Sequence, residues 1–295
     1  MIVSRVSLSD HVKTARPKQW LKNVLVFAAP GAAGVLDNFT SFAPAVAIFV
    51  AFCFASSGTY FWNDVLDAEQ DAKHPRKKTR PIAAGRISRR QASVVGSLLM
   101  AFGCALGYVI EWRAGLAMTI YLVLTTSYSS LFKHVAVIDL MAVASGFVLR
   151  AIAGAEATHV EMSNWFLICV SFGALFIVAG KRFAEISEVG HGNSETRATL
   201  ATYTTDFLRT VVTISLSATL VAYCMWAFAT KEISGATWPF YELSIVPMLG
   251  ALLRYLLVLD LGRGSAPEEV FAADRSLQIL GAVWAIIFGL GVYIS

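Results

Sequence analysis

The chain has 295 residues, 56% of them hydrophobic and 15% charged, with a mean hydropathy of +0.62. A soluble domain carries roughly 25% charged residues, so this composition excludes an ordinary soluble enzyme and points to an all-α membrane protein. The net charge of +4 and the pI near 8.9 follow from charge placement along the spans and require no nucleic-acid partner.

Apolar windows of about 20 residues, the length that spans a bilayer as a helix, recur along the chain. They predict nine transmembrane helices near 19–36, 42–62, 91–110, 114–131, 136–155, 164–180, 207–229, 239–259 and 276–294 in a single domain over residues 1–295. The first window is broken by Pro30, Gly31 and Gly34. The N-terminal stretch is polar through Lys22 and lacks an early apolar core, which predicts that no signal peptide is cleaved. Lys22 and Asn23, at its start, are expected to face the bundle interior and touch substrate, and Trp20 to anchor at the interface.

The second window ends in Asn63-Asp64-Val65-Leu66-Asp67-Ala68-Glu69-Gln70-Asp71. In a helix Asn63, Asp67 and Asp71 share a face, with Asp64 one position off it. Carboxylates stacked in this way repel one another unless a divalent cation sits between them. Hard oxygen ligands suit Mg²⁺, which keeps waters and completes its shell with substrate phosphate. Lys73, Arg76, Lys77, Lys78 and Arg80 follow directly and are expected to grip phosphate oxygens, Arg80 above all, because Pro81 stiffens its backbone. Pro75 is expected to stop the helix soon after Asp71.

Further along, Tyr128 and Lys133 close the fourth window, and Asp139 lies inside the fifth, where an ionisable group needs a partner. Lys133 or Arg150 is expected to supply it. Lys181, Arg182 and Glu185 form a second charged cluster after the sixth window. Its expected role is one metal ligand and two phosphate donors facing the first cluster, with Tyr203, Asp206 and Arg209 as accessories. Cys53, Cys104, Cys169 and Cys224 lie inside apolar windows and read as packing residues. With the N-terminus inside, 20 of the 24 Lys and Arg fall in cytoplasmic segments or, as Lys22 and Arg209 do, at the cytoplasmic start of a window, which places the aspartates on the cytoplasmic face of the plasma membrane.

These segments resemble a known family. Asn63-Asp64-x-x-Asp67-x-x-x-Asp71 with His74-Pro75 and Arg80-Pro81-Ile82-Ala83-Ala84-Gly85 is similar to the first signature of the UbiA-type intramembrane prenyltransferases. Tyr128-Ser129 with Leu131 and Lys133 resembles another. The resemblance implies nine transmembrane helices around a central cavity open to the cytoplasm. Arg16-Pro17-Lys18-Gln19-Trp20-Leu21-Lys22-Asn23, Leu149–Gly154 and Val178–Glu185 resemble the decaprenyl-phosphate phosphoribosyltransferase branch. That branch implies an Mg²⁺-dependent transfer of 5-phosphoribose from phosphoribosyl pyrophosphate to decaprenyl phosphate or a similar polyprenyl phosphate, for cell-wall arabinan. It also implies a membrane-lipid environment and a homotrimer. The alternative within the family is prenyl transfer from a prenyl diphosphate to an aromatic acceptor. One departure is visible: the second aspartate-rich motif of a typical member is reduced here to Glu185, with Lys181 and Arg182 beside it.

Overall fold

The computed structural model describes residues 7–75, 77–189 and 202–294, so Arg76 lies outside the described residues. The elements are α1 (Leu8–Ala15), a 3₁₀ stretch Pro17–Phe27, α2 (Ala28–Ala32), α3 (Phe39–Leu66), α4 (Ala68–Lys73), α5 (Arg89–Ile110), α6 (Trp112–Ser130) and α7 (Ile138–Ala157). They continue as α8 (Asn164–Val189), α9 (Thr205–Ser234), α10 (Phe240–Leu243), α11 (Ile245–Asp260), α12 (Pro267–Ala273) and α13 (Arg275–Tyr293). No β-strand occurs among the described residues. Side-chain caps set several starts. Asn38 accepts the Thr40 amide before α3, Ser88 the Gln91 amide before α5, and Thr204 the Phe207 amide before α9.

Among the described residues seven helical stretches are long and apolar enough to cross a membrane. They are α3, α5, α7, α8 through Ser187, α9, Phe240–Asp260 and α13. The predicted windows at 19–36 and 114–131 are the two outside this set. Window 19–36 is a 3₁₀ stretch followed by five α-helical residues. Pro17 opens the stretch and Gly34 (φ 69°) ends the helical run, so no long α-helix forms there. The fourth window is α6, whose second half is rich in hydroxyls. Thr125, Thr126, Ser129 and Ser130 return their O–H groups to carbonyls four residues earlier, at 2.7, 2.7, 3.0 and 2.9 Å. They lower the mean hydropathy without leaving polar groups unpaired.

The chain divides into two compact units. The first comprises Met1–Gly31, Val35–Lys133 and Leu149–Glu161. In it α3 lies against α5 through glycine: a Cβ at Gly58 would meet the Gly96 carbonyl oxygen at 2.5 Å. Backbones approach this closely where small residues face each other, a packing that serves membrane helices well. Two cores flank that contact, one around Ile48, Phe52, Met118 and Tyr121, the other around Phe61, Ile82 and Ile87. The second unit comprises Ala32–Gly34, His134–Val148 and Met162–Ser295. Its cores gather Phe176, Phe183, Leu208, Tyr255 and Leu259 in one place and Tyr223, Trp226 and Tyr241 in another.

Candidate active site

Asp64 and Asp71 are the buried acidic pair of the first unit, with exposures of 2% and 3%. One guanidinium nitrogen joins them: Arg80 Nη1 donates to Asp71 Oδ2 at 2.6 Å and to Asp64 Oδ1 at 3.1 Å. Arg16 Nη2 adds a second donor to Asp64 Oδ1 at 2.5 Å, and Lys77 Nζ lies 3.9 Å from Asp71 Oδ1. The pairing differs from the Asn63–Asp67–Asp71 face expected from fourfold spacing, for a geometric reason. Asp64 lies in α3 and Asp71 in α4, and between them α3 ends at Asp67 (ψ 0°), which lets the chain turn, so no single helical face carries Asn63, Asp67 and Asp71.

Asp67 therefore faces elsewhere. Its Oδ1 accepts from Lys133 Nζ at 2.7 Å, with both side chains about a quarter exposed (25% and 21%). Asn63 is half-buried and its carbonyl accepts the Asp67 amide at 2.9 Å, while Lys73 is exposed and Tyr128 half-buried.

Local anchoring fixes the two arginines. The turn after Arg80 is closed by Ala84 N–H to Arg80 O and Arg86 N–H to Pro81 O, and Ile82 is buried beside Phe61 and Ile87. Arg16 ends α1 in the left-handed region (φ 52°, ψ 61°) and sits 5.0 Å from the Tyr60 ring centre. That conformation costs an L-residue roughly 1–2 kcal/mol. It is held because α1 is tied down: Ser57 Oγ donates to the Ala15 carbonyl at 3.1 Å and Arg86 Nε to Asp10 at 2.9 Å. Trp20, expected as an interfacial anchor, donates its ring N–H to Ser57 at 3.1 Å. Sequence reasoning overlooked Arg16 as a site residue. The signal was present, because Arg16-Pro17 repeats the Arg80-Pro81 dipeptide.

Asn23 is fully buried at 0% exposure, while Lys22 is half-buried. Asn23 Oδ1 accepts from Arg150 Nε at 2.7 Å, and Arg150 Nη2 donates to Tyr121 OH at 3.1 Å. The Arg150 guanidinium also lies 4.7 Å from the Tyr121 ring centre and 5.6 Å from that of Phe52. Neither Arg150 nor Lys133 is therefore the partner of Asp139, as the sequence suggested.

That partner belongs to the second unit. Asp139, at 0% exposure, receives Arg182 Nε at 3.3 Å and the Tyr203 hydroxyl. Arg182 Nη1 reaches Glu185 Oε2 at 2.8 Å, and Lys181 Nζ lies 3.8 Å from Glu185 Oε1. Tyr203 also accepts the Val137 amide at 2.6 Å, holding a valine at φ 68°. Burial, then the bond to Asp139, pushes the Tyr203 hydroxyl well above its usual range, so it stays protonated and donates. Arg209 pairs with Asp260 at 3.7 Å. Asp206 is exposed at the start of α9.

Among the described residues no three His, Cys, Asp or Glu side chains gather into a metal-binding group. Two buried carboxylate oxygens do converge on one cationic nitrogen, Arg80 Nη1. Hard oxygens around a single positive point fit a divalent cation that takes its remaining ligands from water and phosphate, as Mg²⁺ does.

An all-helical, multi-pass membrane protein with a buried acidic pair ringed by Arg and Lys is thus defined. The UbiA prenyltransferase family pattern matches residues 24–288, and the chain belongs to that family. It is 41% identical to the decaprenyl-phosphate phosphoribosyltransferase of Corynebacterium glutamicum, across 96% of this chain and 86% of the relative. It is 38% identical to the enzyme of the same name from Mycolicibacterium smegmatis, across 98% and 94%. A UbiA homologue from Archaeoglobus fulgidus, solved with DMAPP and Mg²⁺, superposes with a TM-score of 0.74 at 17% identity over 97% of this chain and 100% of the homologue. This last likeness shows a shared fold.

Proposed function

We propose that this protein transfers 5-phosphoribose from phosphoribosyl pyrophosphate to decaprenyl phosphate, releasing pyrophosphate, at the cytoplasmic face of the plasma membrane. The reading is carried by near-full-length identity of 38–41% to relatives that bear this name. It is supported by an acidic pair sheathed in cations, which suits a substrate with several phosphates.

In the reaction an oxygen of the lipid phosphate attacks the anomeric carbon of ribose. The bond from that carbon to the diphosphate oxygen breaks, and pyrophosphate leaves with the electron pair. The lipid phosphate is already anionic near neutral pH, so positioning and charge stabilisation do most of the work. Mg²⁺, when bound, would neutralise charge building on the leaving diphosphate. Asp64 and Asp71 would hold it, with Asn63, Asp67 and Glu185 as further candidate ligands.

Arg16, Arg80 and Lys77 already point donors at the carboxylates. An arriving diphosphate offers them anionic oxygens of the same kind, and a planar guanidinium grips such oxygens in pairs. Lys73, Lys133, Lys181 and Arg182 are the other proposed phosphate donors, and Lys22, Asn23 and Tyr128 the proposed substrate contacts. The apolar spans would carry the polyprenyl tail. Nine spans and a homotrimer, as the family resemblance implies, belong to the same proposal.

The test is incubation of purified protein with labelled phosphoribosyl pyrophosphate and decaprenyl phosphate, with and without a chelator. The expected result is a labelled lipid that forms only with divalent cation. Turnover of a prenyl diphosphate with an aromatic acid, and no labelled lipid, would transfer the assignment to the family's other chemistry.

A further inference from the structure

A groove of about 350 Å³ opens in the second unit between the start of α9 and the end of α11. Val212, Leu253 and Leu257 form its apolar wall, and Arg209 and Asp260 stand together at one end. Arg209 lies in the first two turns of one candidate span, Thr205–Ser234, and Asp260 ends another, so the pair lies near a helix-end level while the leucines run into the apolar part. The Arg209 guanidinium sits 5.7 Å from the Phe183 ring centre, and its Nη2 is 3.7 Å from Asp260 Oδ1. Both side chains are more than half exposed, at 61% and 64%. None of these residues belongs to the acidic site, and the groove has no part in the proposed reaction.

We propose that this groove seats one membrane phospholipid with an ethanolamine headgroup, its phosphate on Arg209 and its ammonium on Asp260. The argument is one of exchange. A single 3.7 Å contact between exposed groups is weak, and opening it costs little. Both charges are exposed to solvent, so the headgroup held best is the one that offers each of them an opposite partner. An anionic headgroup satisfies Arg209 but repels Asp260. A choline headgroup satisfies Arg209 but offers the carboxylate no N–H donor. An ethanolamine headgroup carries both a phosphate and an ammonium with three N–H donors, so each protein charge keeps an opposite partner. One acyl chain then covers Leu253 and Leu257, which are 50% and 47% exposed.

Native mass spectrometry of the purified protein with ethanolamine, choline and glycerol phospholipids of identical chains tests this. Retention of the ethanolamine lipid should exceed that of the choline lipid by about threefold to tenfold, the worth of a partly exposed ion pair. Asp260→Asn should bring the ethanolamine lipid down to the choline level, and Asp260→Glu should keep the preference. Arg209→Gln should weaken both lipids by a similar factor. Three outcomes overturn the proposal: equal retention of ethanolamine and choline lipids by the unaltered protein, stronger retention of the anionic glycerol lipid, or a preference that survives in Asp260→Asn. The readout is bound lipid, so it stands apart from whether phosphoribose is transferred.

Discussion

Arg80 holds two buried carboxylates with one nitrogen, and Arg80→Met should expose what that costs. The change keeps the stem's packing and removes both donors, the 2.6 Å bond to Asp71 and the 3.1 Å bond to Asp64. Stripping one partner from a buried ion pair costs about 3–5 kcal/mol, because the remaining charge is left uncompensated. Here Arg80 is 29% exposed and Arg16 still bonds Asp64, so the loss falls at or just below the lower end. A loss of about 2–3 kcal/mol is expected, with much of it recovered when a divalent cation takes the vacated point. For a chain of this size that is roughly a 5 °C fall in thermal midpoint. The assay is thermal unfolding of the detergent-purified protein with chelator and with excess Mg²⁺, with Lys73→Met as an exposed control that should stay within about 1 °C. An Arg80→Met midpoint equal to the unaltered protein's in chelator would refute the reasoning. So would a drop that Mg²⁺ leaves unchanged.

Asp64→Asn should lower turnover by about 10²–10³-fold while the melting profile persists, since a developing charge loses its stabiliser; assay of labelled lipid product against the unaltered protein checks it. Gly154→Ala should destabilise the first unit, read as a lower thermal midpoint. Its Cβ would stand 1.8 Å from the Val26 carbonyl oxygen. Overpacking costs about 1–3 kcal/mol, more than the roughly 1 kcal/mol that alanine gains over glycine in a helix. Tyr203→Phe removes the donor to buried Asp139 and the acceptor for Val137 N–H, and should cost about 2 kcal/mol in denaturant or thermal unfolding. Asp274, at the start of α13, should make stability depend on acid. The Arg254 side-chain bond, then the Leu277 amide, holds its carboxyl below the usual range. Its contribution is therefore present above pH about 4 and lost as pH falls through the lower folded value. Melting across pH should show the gap between the unaltered protein and Arg254→Gln closing on the acid side.

Much of the fold was legible because a bilayer leaves the chain few choices. Long apolar runs with Asn38, Ser88 or Thr204 ahead of them become helices, and the same runs end where charge begins. The 19–36 region escaped that logic. Its composition is apolar enough to span, but Pro17 and Gly34 bracket it, and it winds as 3₁₀ with Asn23 buried against Arg150. Pairing was less legible than helicity. No Gly or Pro marks the break at Asp67, so nothing in the sequence said that Asp64 and Asp71 would meet while Asp67 turned to Lys133. Partners distant in sequence were least legible of all: Asp139 could have met any nearby cation, and Arg182, 43 residues away, reached it.

The pairing changes how the acidic cluster is understood. A row of aspartates alone would be a cation site that waits for metal. In this chain Arg16, Lys77, Arg80 and Lys133 already engage Asp64, Asp67 and Asp71, four cations for three carboxylates. The cluster therefore does not depend on metal to fold, since each buried charge has an opposite partner within the protein. The same donors suit phosphate oxygens as well as carboxylates, so polyphosphate binding would proceed by exchange of partners rather than by desolvating bare arginines. Exchange of that kind leaves the carboxylates most available for Mg²⁺ when the phosphates have drawn the cations away. Metal and phosphate should accordingly bind with positive cooperativity, each tightening the other by the same factor. Titrating Mg²⁺ with and without pyrophosphate measures that factor, and equal Mg²⁺ affinity in both would mean that the arginines never leave the aspartates.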